Sequence, residues 1–171
     1  MMFLHWALRA PVSLSFNLFV MLTAPIWAAW AAIGNLDRLP GIFALVHTHD
    51  ETIYGLHIYG PKPATMLGRF RRAVIWLWRN PGYGLDSTVL GFSEPTTLIK
   101  DTNPAAQFDG GVTTSRFVVR QLPDGSKRWT YRRDQVLFGR RWAKIYLGWT
   151  LTPYGGRYMI KVMVNPLRTH Q

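Results

Sequence analysis

Val12-Ser13-Leu14-Ser15-Phe16-Asn17-Leu18-Phe19-Val20-Met21-Leu22-Thr23-Ala24-Pro25-Ile26-Trp27-Ala28-Ala29-Trp30-Ala31-Ala32-Ile33 runs for 22 positions without a charge. At about 1.5 Å per residue a helix of this length reaches roughly 33 Å, and the hydrocarbon core of a bilayer is about 30 Å thick. Arg9 closes one end, and Asp37 and Arg38 close the other. Trp6, Trp27 and Trp30 stand near the ends, where amphipathic rings favour the headgroup level. Pro25 predicts a kink of the kind membrane helices tolerate.

Three readings fit this segment. A retained single-span anchor is preferred on length and flanks, with Val12, Phe16, Phe19, Leu22, Ile26, Trp27 and Trp30 as its membrane residues. A cleaved signal peptide is the second, since Ala29-Trp30-Ala31 offers a small-x-small site, although the apolar residues 1–8 make a poor n-region. A helix in the interface or packed on the domain is the third, because Ser13, Ser15, Asn17 and Pro25 dilute the hydrophobicity. For orientation Arg9 balances Arg38, and Lys62, Arg69, Arg71 and Arg72 tip the positive-inside bias toward a cytoplasmic C-terminal part.

Beyond the segment, residues 34–41 hold Gly, Asn, Asp and Pro and read as a linker into a basic α+β domain over 42–171. Residues 42–47 and 52–59 are short β-like runs around a turn at His49-Asp50-Glu51. Residues 64–79 read as an amphipathic helix with Leu67, Phe70, Val74, Leu77 and Trp78 on one stripe, Trp76 off it, and Asn80-Pro81-Gly82 as its stop. Residues 84–92 and 96–100 are strand candidates, and 101–111 a loop. The last 60 residues read as an antiparallel meander: 114–122 and 127–134 flank Pro123-Asp124-Gly125, and 142–151 and 158–164 flank a second Pro- and Gly-bearing turn. In 142–151, Ala143, Ile145, Leu147, Trp149 and Leu151 alternate with the other side chains, the period of a half-buried strand. The expected fold is therefore α+β: an N-terminal transmembrane helix, one amphipathic helix that covers the sheet, and an antiparallel meander of about five to seven strands.

The 20 Lys and Arg against 9 Asp and Glu give a formal charge of +11, which favours anionic partners. From Val112 onward lie 12 of the basic residues with only Asp124 and Asp134 against them, so the positive field belongs to the meander. Arg69, Arg72, Arg116, Arg120, Arg128, Arg132, Arg140, Arg141 and Lys144, interleaved with Trp129, Tyr131, Trp142 and Tyr146, are the candidate anionic-surface residues. Charge with aromatics suits an anionic leaflet, and also single-stranded nucleic acid as a lesser alternative. A solvated sheet face with core aromatics has the same composition.

Cysteine is absent, which excludes disulfides, thiol nucleophiles and cysteine-ligated metals. His47, His49 and His57 near Asp50 and Glu51 hint at a metal site, but pairing the two β-like runs about Asp50-Glu51 puts His57 on the opposite side from His47. There is no Gly-x-Ser-x-Gly elbow, phosphate-cradling Gly-rich loop or His-Glu-x-x-His. No enzyme, cofactor or metal is expected.

Three further stretches matter together: Arg71-Arg72-Ala73-Val74-Ile75-Trp76-Leu77-Trp78-Arg79-Asn80-Pro81-Gly82-Tyr83-Gly84, Tyr146-Leu147-Gly148-Trp149-Thr150-Leu151 and Val164-Asn165-Pro166-Leu167-Arg168. With the hydrophobic N-terminus they resemble an uncharacterised family of tailed-bacteriophage proteins that carry an Arg-Asn-Pro-x-Tyr-Gly motif; the chain departs from that pattern at Thr150 and Leu167. The resemblance implies a phage origin and membrane association, and brings no activity or catalytic residue. The expectation is a membrane-anchored phage accessory or interaction protein at the host bacterial inner membrane, presenting a basic β-domain to lipid, a protein partner or a second copy. The alternatives are a virion component acting at the host envelope during genome delivery, and a membrane-tethered nucleic-acid-binding module.

Overall fold

The apolar run forms a helix, α1 (Leu4–Ile33), with Pro11 and Pro25 inside it. A 3-10 helix (Gly41–Val46), α2 (Leu56–Tyr59), α3 (Met66–Arg79) and α4 (Tyr83–Thr88) follow. Then come β1 (Thr97–Asp101), β2 (Thr114–Gln121), β3 (Lys127–Val136), β4 (Arg141–Trp149) and β5 (Ile160–Thr169). The strands form one antiparallel sheet in the order β1-β2-β3-β4-β5, so the class is α+β with a five-stranded meander. The computed structural model describes residues 2–109, 112–138 and 141–169, with only the backbone described for 166–169.

The chain divides into two compact units that do not follow the boundaries 1–33, 34–41 and 42–171: one is Met1–Ala10 with Ser93–Gln171, the other Pro11–Phe92. The division falls within α1, beside Pro11.

In the Pro11–Phe92 unit, α1 packs by a stripe of small residues. Val20, Ala24, Ala28 and Ala31 are buried with Leu39, Val46, Ile53, Tyr54, Ala73 and Leu77. Small side chains let the α3 backbone come close, and Ala73 answers them from α3. The buried face of α3 is thus centred on Ala73, Trp76 and Leu77, not on the stripe read from the sequence. Trp76 is inside, while Leu67 and Trp78 are exposed. Thr65 caps α3, its hydroxyl accepting from Gly68 N at 3.1 Å.

Three strand expectations fail here for local backbone reasons. Residues 42–47 form a 3-10 helix entered at Gly41, whose φ is +56°. Residues 52–59 turn at Gly55 (φ +60°) into α2, with the Trp76 ring seated where a Cβ would stand. Residues 84–92 are not a strand: Gly82 (φ +62°) starts α4, and the hydroxyls of Ser87 and Thr88 donate to Gly84 O at 3.1 and 2.6 Å. A Cβ at Gly84 would meet the backbone of Ala44, Leu45 and His47, so glycine there sets α4 directly on the 3-10 helix.

In the sheet unit the β2–β3 hairpin turns at Gly125 (φ +79°), with Ser126 N donating to Asp124 Oδ1 at 2.8 Å. The expected cover, α3, packs in the other unit's core. Cover is supplied instead by the chain's start: Phe3 and Trp6 lie 5.1 and 5.3 Å from the Trp129 ring, and Trp6 Nε1 donates to Lys161 O at 3.0 Å.

Candidate functional site

Two surfaces carry the features expected of a site: the outer side of α1 and the basic side of the sheet. Along α1 each residue turns about 100°. The face opposite Val20, Ala24 and Ala28 holds Val12, Leu18, Phe19, Leu22, Ile26, Trp30 and Ile33, all exposed, Leu22 at 74% and Ile33 at 72%. Of the expected membrane residues, Phe16 and Trp27 sit on the flank and pack partly against the core; the other five face outward.

The apolar surface continues to both sides of α1. Trp78 Nε1 donates to Met21 O at 2.9 Å and leaves its ring exposed beside Ile75. On the other flank Trp27 and Trp30 pack on the exposed Phe43 at 5.7 and 5.1 Å, next to exposed Ile42. Sequence reading missed Ile42, Phe43 and Ile75 as members of this surface. The signal that could have found Ile75 is the spacing Arg71, Ile75, Trp78, one exposed line of α3. Α lone exposed leucine is ordinary, but a contiguous apolar surface of this extent marks an interaction face. The helix is long and apolar enough to cross a membrane by length and composition.

The expected basic surface is arranged differently. Across β2 and β3, Arg116 stands opposite Arg132 and Arg120 opposite Arg128, so the four share one side of the sheet. Like charges directly opposite repel, and each is offset by its own partner. Arg116 forms a two-pronged ion pair with Asp101, Nε at 3.0 Å and Nη2 at 2.5 Å. Arg132 pairs with Asp109 at 2.6 Å and with buried Asp134 at 3.5 Å, and its guanidinium lies 4.2 Å from the Phe108 ring centre. Arg120 donates to Leu151 O and covers the Tyr158 ring; Arg128 donates to Ser126 Oγ and Lys127 O and covers Trp149. Lys144, almost buried, reaches Asp109 at 3.2 Å. These cations are occupied inside the unit, between the sheet and the loops that bring Phe108, Asp109 and Leu151.

The electrostatics follow. Hydrogen bonds from Arg116 hold the Asp101 carboxyl below its usual range. Burial pushes Asp109 up, but Arg132 and Lys144 outweigh it and leave it lowered. Burial lowers Arg128.

Arg69 and Arg72 are brackets in the other unit. Arg69 donates twice to Ala32 O, at 3.2 Å each, and to Ala64 O at 2.7 Å, closing the C-terminal end of α1. Arg72 donates to Gly60 O and Pro61 O at 3.0 and 2.6 Å. Arg141 is exposed at the start of β4, and Arg140 lies outside the described residues. Among the described side chains, the cations that face solvent on the sheet are Lys100, Lys127, Arg133 and Arg141. Two of them, Lys100 and Lys127, line an 800 Å³ cavity with Met2, His5, Ile99, Phe117 and Val119.

The histidines do not converge. His47 is buried, its Nδ1–H donating to Thr48 O at 2.8 Å and its Nε2 accepting from Leu39 N at 3.3 Å; His57 pairs with Glu51. Burial lowers the pKa of His47. Among the described residues no three His, Asp or Glu side chains are grouped to hold a metal ion.

No curated protein and no solved structure matches this chain. The sequence profile of DUF7338, a family of unknown function, matches residues 1–171. The match covers the apolar helix, the arginine-lined sheet and everything between, and the chain therefore belongs to the DUF7338 family.

Proposed function

We propose that the protein is a membrane-anchored accessory or interaction protein, with α1 as its anchor and the sheet unit as the part it presents to a partner. The observation that carries this reading is the outer face of α1, where Leu18, Leu22, Ile26 and Ile33 are exposed and no charge falls between Val12 and Ile33. In water such a face costs about 25 cal/mol for each Å² left uncovered. The exposed aromatics at its borders, Trp30, Phe43 and Trp78, are of the kind that settle at the headgroup level.

The resemblance of the Arg79-Asn80-Pro81-Gly82-Tyr83-Gly84 stretch to a tailed-phage family supports a phage origin, and with it the host inner membrane as location. The sheet unit then offers Lys100, Lys127, Arg133 and Arg141 to anionic headgroups or to an acidic protein. Nucleic acid is the weaker reading. A single-strand reader needs cations and rings free together, and the arginines that lie over rings here are engaged with Asp109, Asp134, Leu151 and Ser126.

Fractionation of cells producing the full-length chain tests the proposal. The protein should sediment with membranes, resist extraction by salt and come out with detergent. Recovery as a monodisperse, detergent-free soluble protein overturns it. Presence in purified virions would favour a component of the particle over an accessory protein.

A further inference from the structure

A helix long enough to cross a bilayer need not cross it, and the packing of α1 bears on which it does. Between Met21 and Ala32 the helix is clasped lengthwise by α3, running antiparallel: Trp78 bonds to Met21 O and Arg69 bonds to Ala32 O. α3 carries Arg69, Arg71, Arg72 and Arg79. Nearer the N-terminus, Asn17 Nδ2 donates to Asp86 Oδ2 at 3.3 Å and to Ser13 Oγ at 3.3 Å, and Ser13 and Asp86 are buried against that same inner face. If α1 stood upright in a bilayer, its clasp would stand beside it, with exposed Arg71 and Arg79 at hydrocarbon depth. Intramembrane charges are accepted only where they face a bundle interior or water.

The topology points the same way, independently. Residues 2–10 belong to the unit built from residue 93 onward, through Phe3, Trp6, Trp129 and Lys161. A chain that crossed once along α1 would have to cross back before β1 to rejoin its own start. Among the described residues α1 is the one helix long and apolar enough to cross; α3 has 14 residues, four of them arginine.

We infer that α1 lies in the plane of one leaflet, its outer face of Val12, Leu18, Phe19, Leu22, Ile26 and Ile33 among the upper acyl chains, so that both of its ends and the rest of the chain stay on a single side of the membrane. This deepens the membrane-anchored reading and rests on it. The occupant of the apolar face is lipid, not a second copy, on the strength of its border. Trp78 on one flank and Phe43 with Trp30 on the other widen the face beyond a helix-pair seam, and exposed Arg71 sits on the line of Ile75 and Trp78, as a basic rim at anionic headgroups requires.

The chain has no cysteine, so single cysteines report cleanly. In the full-length protein, Met2→Cys, which lines the water-accessible cavity of the sheet unit, and Asp50→Cys, exposed beyond α1, are treated with an impermeant maleimide. Right-side-out and inside-out inner-membrane vesicles are compared. Both positions should label in one vesicle orientation and lose labelling in the other. Labelling from opposite sides overturns the in-plane arrangement and leaves the membrane reading standing. Failure of the protein to enter the vesicle fraction overturns both. A bimane on Leu22→Cys separates the remaining occupant: quenching by shallow rather than deep lipid spin labels is expected, and protection from both, with a Leu22→Cys disulfide dimer, would assign the face to a second copy instead.

Discussion

Arg116 and Arg132 stand directly opposite each other across β2 and β3, and each is held by a different carboxylate, Asp101 for the first and Asp109 with Asp134 for the second. The pair is stable because the acids separate two like charges that share one side of the sheet. Asp101→Asn should leave Arg116 uncompensated next to Arg132 and cost about 2–3 kcal/mol, the buried-pair value discounted for the partial exposure of Arg116. The Arg116 guanidinium holds Asp101 below its ordinary value of 3.8, so its contribution is complete above that pH and is lost as pH falls through the folded-state value. Urea unfolding of the wild type and Asp101→Asn between neutral pH and acid checks this: the two should converge at low pH.

Gly148 faces Thr130 across the β3–β4 ladder with φ +94°, and a Cβ there would meet the Trp129 carbonyl carbon at 2.9 Å and Thr130 Cα at 3.0 Å. Gly148→Ala should cost roughly 2–4 kcal/mol, since both the backbone angle and the space are wrong. Gly156→Ala is the control: φ is +77° but nothing lies within 4 Å, so about 1 kcal/mol is expected. Thermal unfolding followed by tryptophan fluorescence should rank them in that order.

His47 is held neutral, with one ring nitrogen donating to Thr48 and the other accepting from Leu39. Burial draws its pKa below the ordinary value of 6.5, so the unfolded chain takes up the proton first. Its stabilising contribution is full above about pH 6.5 and is lost as pH falls toward the folded-state value. Stability measured from pH 8 to pH 5 should decline over the lower part of that range, and His47→Gln should flatten the decline.

The solvent-facing cations and the enclosed ones should separate by experiment. Reversing Lys127, Arg133 and Arg141 to glutamate should weaken salt-sensitive binding to anionic vesicles with little loss of stability, because these side chains are exposed. Arg120→Gln should do the opposite, since its guanidinium holds Leu151 O and covers Tyr158. Flotation with neutral and anionic vesicles, read beside melting temperatures, distinguishes the two groups.

The long-range order of the sheet was legible in the sequence, and its sidedness was not. Turn chemistry at Asp124-Gly125 and the period-2 pattern of β4 place the strands, as found. Of the alternating set Ala143, Ile145, Leu147, Trp149 and Leu151, only Trp149 is buried, while Trp142, Lys144 and Tyr146 of the opposite set are buried. Lys144 is covered because Asp109, 35 positions earlier, comes to it, and no local pattern announces such a partner. The same holds for Arg69, whose role depends on the free carbonyl of Ala32. Residues 42–47 and 52–59 read as strands because β-branched and aromatic composition outweighed Gly41 and Gly55, whose positive φ values decide the backbone there. For α3, the stripe was read from the large apolar side chains, while the true contact is organised about Ala73, which a hydrophobic pattern barely registers.

The bond between Trp6 and Lys161 joins residues 155 positions apart, and so sets a timetable for synthesis. A ribosome adding about 5–20 residues each second makes Trp6 roughly 10–30 s before its acceptor exists. For the first part of that interval α1 has no α3 to pack on, and until residue 161 is made the sheet that receives its first turns is incomplete. The first residues can close over Trp129 only after the last strand is made, so a bulky fusion at the amino end should hinder that late folding step more than one at the carboxyl end.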